Sequence, residues 1–397
     1  MGESSLMTLT EAPVRPRWMV AYALAMIGVA AGWFGPIQIL LPEQAARLAG
    51  ADGKESLLAL VTAIGAAASL VANPLWGALS DRLGSRRPIF IAGTVVGVAG
   101  LLVLSVAEAR GPMITGWVLV QIGLNGPLAA LAAMIGDRVP ERQRGTVGAL
   151  FGVAQIVGVV LGTALAVAVG QGAPGYIAVA VAVPALGAAL LLMHREPALR
   201  SERSGISLHW PGGQFAWAWL IRFLLNLVNA LVLVYLFYYL SDAVGVTDAA
   251  TWVLVLTVVN VLFAGIFGFA GGVLSDRWQR RKVFITVAAL VLAAGTALLA
   301  LVPVVAAAIV ASVLVGAGWG AYVAVDMAVI THVLPDAETR ATMLGVANIA
   351  GTLPQLLAPV IAAPIVTRLG GYPTLYLLTA VIAVLALACL PRLKSLS

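Results

Sequence analysis

Long apolar stretches follow one another almost without a break from Trp18 to Leu390, and a run of about 20 apolar residues is long enough to cross a bilayer as a helix. Twelve such spans are expected, at 18–41, 57–79, 88–107, 111–136, 145–170, 175–193, 215–240, 250–274, 283–302, 304–331, 341–367 and 372–390. A chain that is 61% hydrophobic and 10% charged is not solvated as a globule, so the fold class is an all-α membrane protein. The polar segment 194–214 separates six spans from six. The expected domains are therefore an N-terminal six-helix bundle at 1–193, a cytoplasmic linker at 194–214 and a C-terminal six-helix bundle at 215–397.

The chain is also duplicated. Gly77-Ala-Leu-Ser80-Asp81-Arg82, followed by Arg86 and Arg87, returns as Gly272-Val-Leu-Ser275-Asp276-Arg277, followed by Arg281 and Lys282, at a fixed offset (276 − 81 = 195). Asp137-Arg138-Val-Pro140 and His332-Val-Leu-Pro335-Asp336 repeat with the same offset (335 − 140 = 195). Two tandem membrane halves joined by a linker indicate a secondary transporter. Of the 23 Lys and Arg, all but Arg47, Lys54, Arg110, Arg368 and the intramembrane Arg222 fall in the termini and the even-numbered connections. That asymmetry places both termini in the cytoplasm of a multi-pass protein of the plasma, or inner, membrane. The polar leader before Trp18 precedes a span too long for a cleaved signal, which is read as an anchor. The net charge of +6 follows from topology and implies no nucleic-acid partner. Cys389 is the one cysteine, so no internal disulfide forms.

The loop Gly-x-x-x-Asp-Arg with a basic cluster, set between the second and third helices of each half, resembles the signature loop of the major facilitator superfamily. The resemblance spans the chain. It implies two pseudo-symmetric six-helix bundles working by alternating access. It assigns a cytoplasmic gate to Gly77, Asp81, Arg82, Arg86 and Arg87 with Asp137, Arg138 and Arg144, and to the second copy, Gly272, Asp276, Arg277, Arg281, Asp336 and Arg340. Gln279 stands where the first copy has Gly84, a departure that weakens the second latch. A finer resemblance, carried by Asn73-Pro74-Leu-Trp-Gly77, Gly126-Pro127, Arg222-Phe223 and Asp326 to Pro335, is to the proton-coupled sucrose and disaccharide branch. There Met134 stands where that branch is expected to carry a proton-binding aspartate.

Charges within hydrocarbon cost about 2.5 to 3.5 kcal/mol on insertion scales and mark function. Two lie well inside the spans, Arg222 and Asp326, each about 10 Å from the cytoplasmic end at 1.5 Å rise per residue. An ion pair between them relieves both desolvation penalties. Asp326 then either alternates between Arg222 and a proton, as the coupling residue, or stays in a permanent structural pair.

Uncharged polar residues recur at helical spacing. Trp219, Asn226 and Asn229 share a face with Arg222, and Trp319 and Tyr322 share one with Asp326. Gln38, Gln121, Asn125, Gln155, Asn260, Asn348 and Gln355 complete the candidate substrate site, with interhelical hydrogen bonding as the competing reading for each. Amides beside aromatic rings suit a sugar or glycoside.

The sequence thus describes a monomeric carrier in a lipid bilayer, moving a small-molecule substrate together with protons. An efflux antiporter of the same fold and a non-transporting receptor remain as alternatives. Neither a phosphate-binding Gly-Lys-Ser/Thr loop nor a catalytic or metal-binding cluster is present, so neither enzyme activity nor a cofactor is expected.

Overall fold

The computed structural model describes residues 13–193, 213–278, 280–333 and 340–393, apart from the side chains at 141, 145, 276, 327, 331, 332, 340–345 and 348. Twelve helices in it are long and apolar enough to cross a membrane. They are α1 (Pro16–Ala49), α2 (Lys54–Leu83), α3 (Arg87–Ser105), α4 (Arg110–Arg138), α5 (Glu141–Val169), α6 (Ala173–Met193), α7 (Gly213–Val234), α8 (Ala249–Trp278), α9 (Arg281–Leu301), α10 (Val305–Val333), α11 (Arg340–Arg368) and α12 (Gly371–Cys389). Most of the expected linker, 194–212, lies outside the described residues.

Two helices differ from their expected spans. The first was expected to end at 41 but continues to Ala49 through a π-helical turn, Pro36–Leu40. Pro36 has no N–H to give, and the Leu41 N–H reaches the Pro36 carbonyl five residues back, so the proline shifts the register of the helix without ending it. The extension carries Glu43, Gln44 and Arg47, which hydropathy excludes from a span. The seventh was expected unbroken to 240, yet α7 stops at Val234. Tyr235 leaves helical geometry (φ −123°, ψ 19°), and a short turn, Leu236–Tyr238, leads into a π-helical turn, Tyr239–Val244. Gly245, at φ +75°, closes it in the left-handed region that glycine tolerates.

The chain divides into two compact units, Met1–Leu57 with Ile64–Arg203 and Ser204–Ser397 with Leu58–Ala63. In the first, α1 packs on α5 and α6, and α3 packs on α4 and α6; in the second, α7 packs on α11 and α12, and α9 on α10 and α12. The two six-helix bundles therefore repeat one plan, and the repeat reaches individual bonds. Gln44 Nε2 donates to the Leu104 and Ala107 carbonyls at 2.9 and 3.0 Å, while Tyr176 O–H donates to Gln44 Oε1 at 2.8 Å. At the corresponding place in the second unit (239 − 44 = 195; 299 − 104 = 195), Tyr239 O–H donates to the Leu299 carbonyl at 2.8 Å. In both units a side chain near or just past the end of the first helix donates to a backbone carbonyl near the end of the third.

The units differ between their second and fourth helices. In the first, the buried Trp117 ring of α4 fits against α2 because Gly65 has no Cβ to meet it. In the second, Asn260 occupies the position of Gly65 (260 − 195 = 65) and Ser312 that of Trp117 (312 − 195 = 117). There α8 and α10 come together backbone to backbone, with Gly316 against the carbonyl of Asn260 and Gly320 against that of Ala264. In the first unit Gly93 meets Gly123 and Gly158 meets Ile27, each across a helix–helix contact. A Cβ added at Gly148 or Gly152, by contrast, would touch none of the described residues within 4 Å.

Candidate functional site in the second bundle

Helices α7 and α10 bring Arg222 and Asp326 together. Arg222 Nη1 donates to Asp326 Oδ2 at 2.6 Å, with the two side chains only 12% and 15% exposed. Tyr322, one turn before Asp326 on α10, donates its hydroxyl to Asp326 Oδ1 at 2.6 Å. Asn226, one turn beyond Arg222, donates through Nδ2 to the Arg222 carbonyl at 2.8 Å and leaves its Oδ1 facing Gly351 of α11. Aromatic rings flank the pair. Trp219 stacks on Phe223 (5.5 Å between centroids, 6° between planes), and its ring N–H donates to the Val346 carbonyl of α11 at 2.9 Å. Trp319 leans on Tyr322 at 5.6 Å. Asn229 is half-buried one turn farther along α7. At the equivalent positions of the first bundle stand Ile27 (222 − 195 = 27) and Leu131 (326 − 195 = 131), so the charges are an addition to the repeated scaffold.

The other candidates lie elsewhere. Asn125 donates through Nδ2 to Ser69 Oγ at 2.7 Å and to the Gln121 carbonyl at 2.6 Å, tying α4 to α2, and both Gln121 and Asn125 are buried. Gln38 Oε1 accepts from Thr163 at 3.0 Å, and Asn260 Nδ2 donates to the Ser312 carbonyl at 3.4 Å. These amides hold neighbouring helices. Gln155 and Gln355 are exposed, and the Asn348 side chain lies outside the described residues. An apolar cavity of about 350 Å³ opens along α2 from Ala68 to Leu79 opposite Ile122, and it holds no charged group.

At the basic end of the first bundle, Arg86 is the centre of the network. Its Nε donates to Asp137 Oδ2 and its Nη1 to Asp81 Oδ1 and Ser80 Oγ, all at 2.7 Å. Burial of the guanidinium pulls its pKa down, but Asp137 and Asp81 outweigh this and hold it above the ordinary value. Arg82 and Arg87 are exposed beside the network, and a Cβ at Gly77 would meet none of the described residues within 4 Å. Arg138 lies over the Trp18 ring at 6.0 Å, and Arg144 donates to the Val139 and Gly136 carbonyls at 3.1 and 3.2 Å. In the second copy Arg281 donates to the Ala328 carbonyl at 3.1 Å and Arg277 is exposed near Gly272. His332 takes the position of Asp137 (332 − 137 = 195). Asp336 and the side chains of Asp276 and Arg340 lie outside the described residues.

The sequence matches the profile of the Major Facilitator Superfamily over residues 19–257 and again over 218–395. The chain belongs to the major facilitator superfamily. Its fold is that of solved transporters. The nucleoside transporter NupG, crystallised as a mutant, superposes with a TM-score of 0.78 at 12% identity, over 95% of this chain and 100% of that one. A bacterial homologue of the human lysosomal transporter Spinster, inward-facing and unoccupied, gives 0.74 at 15% identity, over 96% and 98%. The human organic anion transporter MFSD10 (TETRAN) gives 0.70 at 15% identity, over 95% and 100%. No sequence among the curated proteins matches this chain.

Within this superfamily fold the sequence missed two contributors to the charged site. Gly351 lies against Arg222 and Asn226, and Phe223 stacks on Trp219. Gly351 sits three residues after Asn348 and four before Gln355, on the α11 face already marked by polar residues, and that spacing was the available signal.

Proposed function

We propose that this superfamily transporter moves a small organic solute coupled to protons, with Asp326 as the proton-binding group and the Arg222–Asp326–Tyr322–Asn226 cluster as the polar part of the solute site. The observation that carries the reading is the ion pair itself. A carboxylate at 2.6 Å from a guanidinium, inside a membrane helix and absent from the sister bundle, has two stable states, paired with Arg222 or protonated. Taking a proton releases one arginine donor to the solute, which links the two cargoes. The sugar or glycoside expectation draws on resemblance and on amides beside aromatic rings, and three of those amides, in Gln38, Asn125 and Asn260, are bonded to neighbouring helices.

The wider setting belongs to the same proposal. The basic end faces the cytoplasm with both termini, the membrane is the plasma (inner) membrane, the protein works as a monomer, and the Asp81–Arg86–Asp137 network is the cytoplasmic gate. The test is solute-induced proton movement in proteoliposomes, read with an entrapped pH dye across a panel of sugars, organic acids and cytotoxic compounds. Wild-type protein gives a proton signal with its solute, and Asp326→Asn gives none. Undiminished proton movement in that variant removes Asp326 from the coupling.

A further inference from the structure

Arg222 has more donors than the protein around it uses. A guanidinium carries five N–H groups in a fixed plane. Nη1 is held by Asp326, but Nε is buried and has no partner among the described residues. Nη2 lies beside Gly351, where even an added Cβ would be 3.9 Å away. Asp326 has both oxygens occupied, Oδ2 by Arg222 and Oδ1 by Tyr322. Among the described residues the cluster is short of acceptors, since Asn226 Oδ1 alone faces the same space as Nη2. Nε and Nη2 share one edge of the guanidinium plane, and that edge matches the two oxygens of a carboxylate side by side. Buried donors on a charged group are costly to leave unmade, and such a deficit calls for a partner.

We infer that the Nε–Nη2 edge of Arg222, opposite Gly351, receives a carboxylate of the solute, so that the substrate is an organic acid and not a neutral sugar. This rests on the transport reading above and adds the chemistry of the cargo. The charges balance: Arg222 with ionised Asp326 is neutral, protonation of Asp326 leaves one positive charge, and the bound carboxylate neutralises it. Acid and proton each strengthen the binding of the other. Gly351 is the residue that sets the space, because a methyl group there would stand 3.9 Å from Nη2 and 4.0 Å from Asn226 Oδ1. It touches both without clashing and occupies the room the carboxylate needs.

The test is equilibrium binding to the purified full-length protein of acetate, butyrate, benzoate and indole-3-acetate, each beside its alcohol, with methyl glucoside as the sugar. At least one acid is expected to bind tenfold or more tightly than its alcohol. Gly351→Ala weakens that acid at least tenfold with an unchanged thermal midpoint, and Asp326→Asn, which mimics the protonated state, tightens it several-fold. Acids that bind no better than their alcohols, a glucoside that binds better than every acid, or unchanged acid binding in Gly351→Ala overturns the inference. The outcomes separate from those above. Proton movement that survives Asp326→Asn removes the coupling role alone, while acid binding lost only in Gly351→Ala keeps the acid site standing.

Discussion

The Arg222–Asp326 pair is a case in which breaking an interaction and replacing it have different costs. Truncating one partner leaves a bare charge among apolar helices, a loss of about 3 to 5 kcal/mol, whereas replacing both by apolar side chains of similar volume is close to neutral. Asp326→Ala is therefore expected to lower the unfolding free energy of the purified protein by about that amount, while Arg222→Met with Asp326→Leu recovers most of it and transports nothing. Denaturant unfolding in detergent measures the first effect and proteoliposome flux the second. A double variant as unstable as the single would assign the pair to stability instead. The pair was legible in the sequence because charge stands out in apolar spans. The roles of the amides were not: whether Asn125 meets a solute or Ser69 depends on an approach between α2 and α4 that no local pattern encodes. Gly351 was marked only by its place between Asn348 and Gln355, since its contribution is the absence of a side chain.

At the scale of elements, hydropathy located all twelve spans. It missed the polar tail of α1 and the break after Val234, where the backbone departs from regular helix while the side chains stay apolar. Packing between helices was likewise only half readable. Small residues mark where two helices can approach, but Gly65 accommodates a tryptophan, whereas Gly316 admits a backbone. Gly65→Ala drives a methyl group into the Trp117 ring, and such overpacking costs about 1 to 3 kcal/mol. Gly148→Ala and Gly152→Ala meet none of the described residues, and their effect is expected to stay within about 0.5 kcal/mol. Unfolding of the three variants side by side checks this. Pairing Gly65→Ala with Trp117→Leu gives a smaller loss than the two single losses added, because the smaller side chain makes room for the methyl group. Additive losses would mean that α2 and α4 adjust independently.

Taken as a whole, the molecule is one six-helix design used twice and then specialised. A tie from the far end of the first span to the end of the third helix survives in both copies, although amide has given way to phenol at Gln44 and Tyr239. Among the described residues, the buried Arg222–Asp326 pair stands in the second copy and the Arg86 network at the basic end in the first. Arg86 there binds two carboxylates and a hydroxyl, whereas Arg281, at the same position of the repeat (281 − 86 = 195), donates to the Ala328 carbonyl. A hydrogen bond to a charged group is worth about 1.5 to 3 kcal/mol, less where a partner is as exposed as Asp81 at 60%. A single such bond still corresponds to about tenfold in a conformational equilibrium or a rate, at about 1.4 kcal/mol per factor of ten. Arg86→Ala is accordingly expected to slow solute-driven proton flux in proteoliposomes by about tenfold or more, and Arg281→Ala by less than about threefold. Arg86→Lys distinguishes charge from geometry: an ammonium supplies the charge without the planar fork that reaches Asp81, Ser80 and Asp137 together, so it restores only part of the rate. Equal losses at Arg86 and Arg281 would show that the two loops act as matched halves of one device, and the asymmetry of their bonds would then have no bearing on transport.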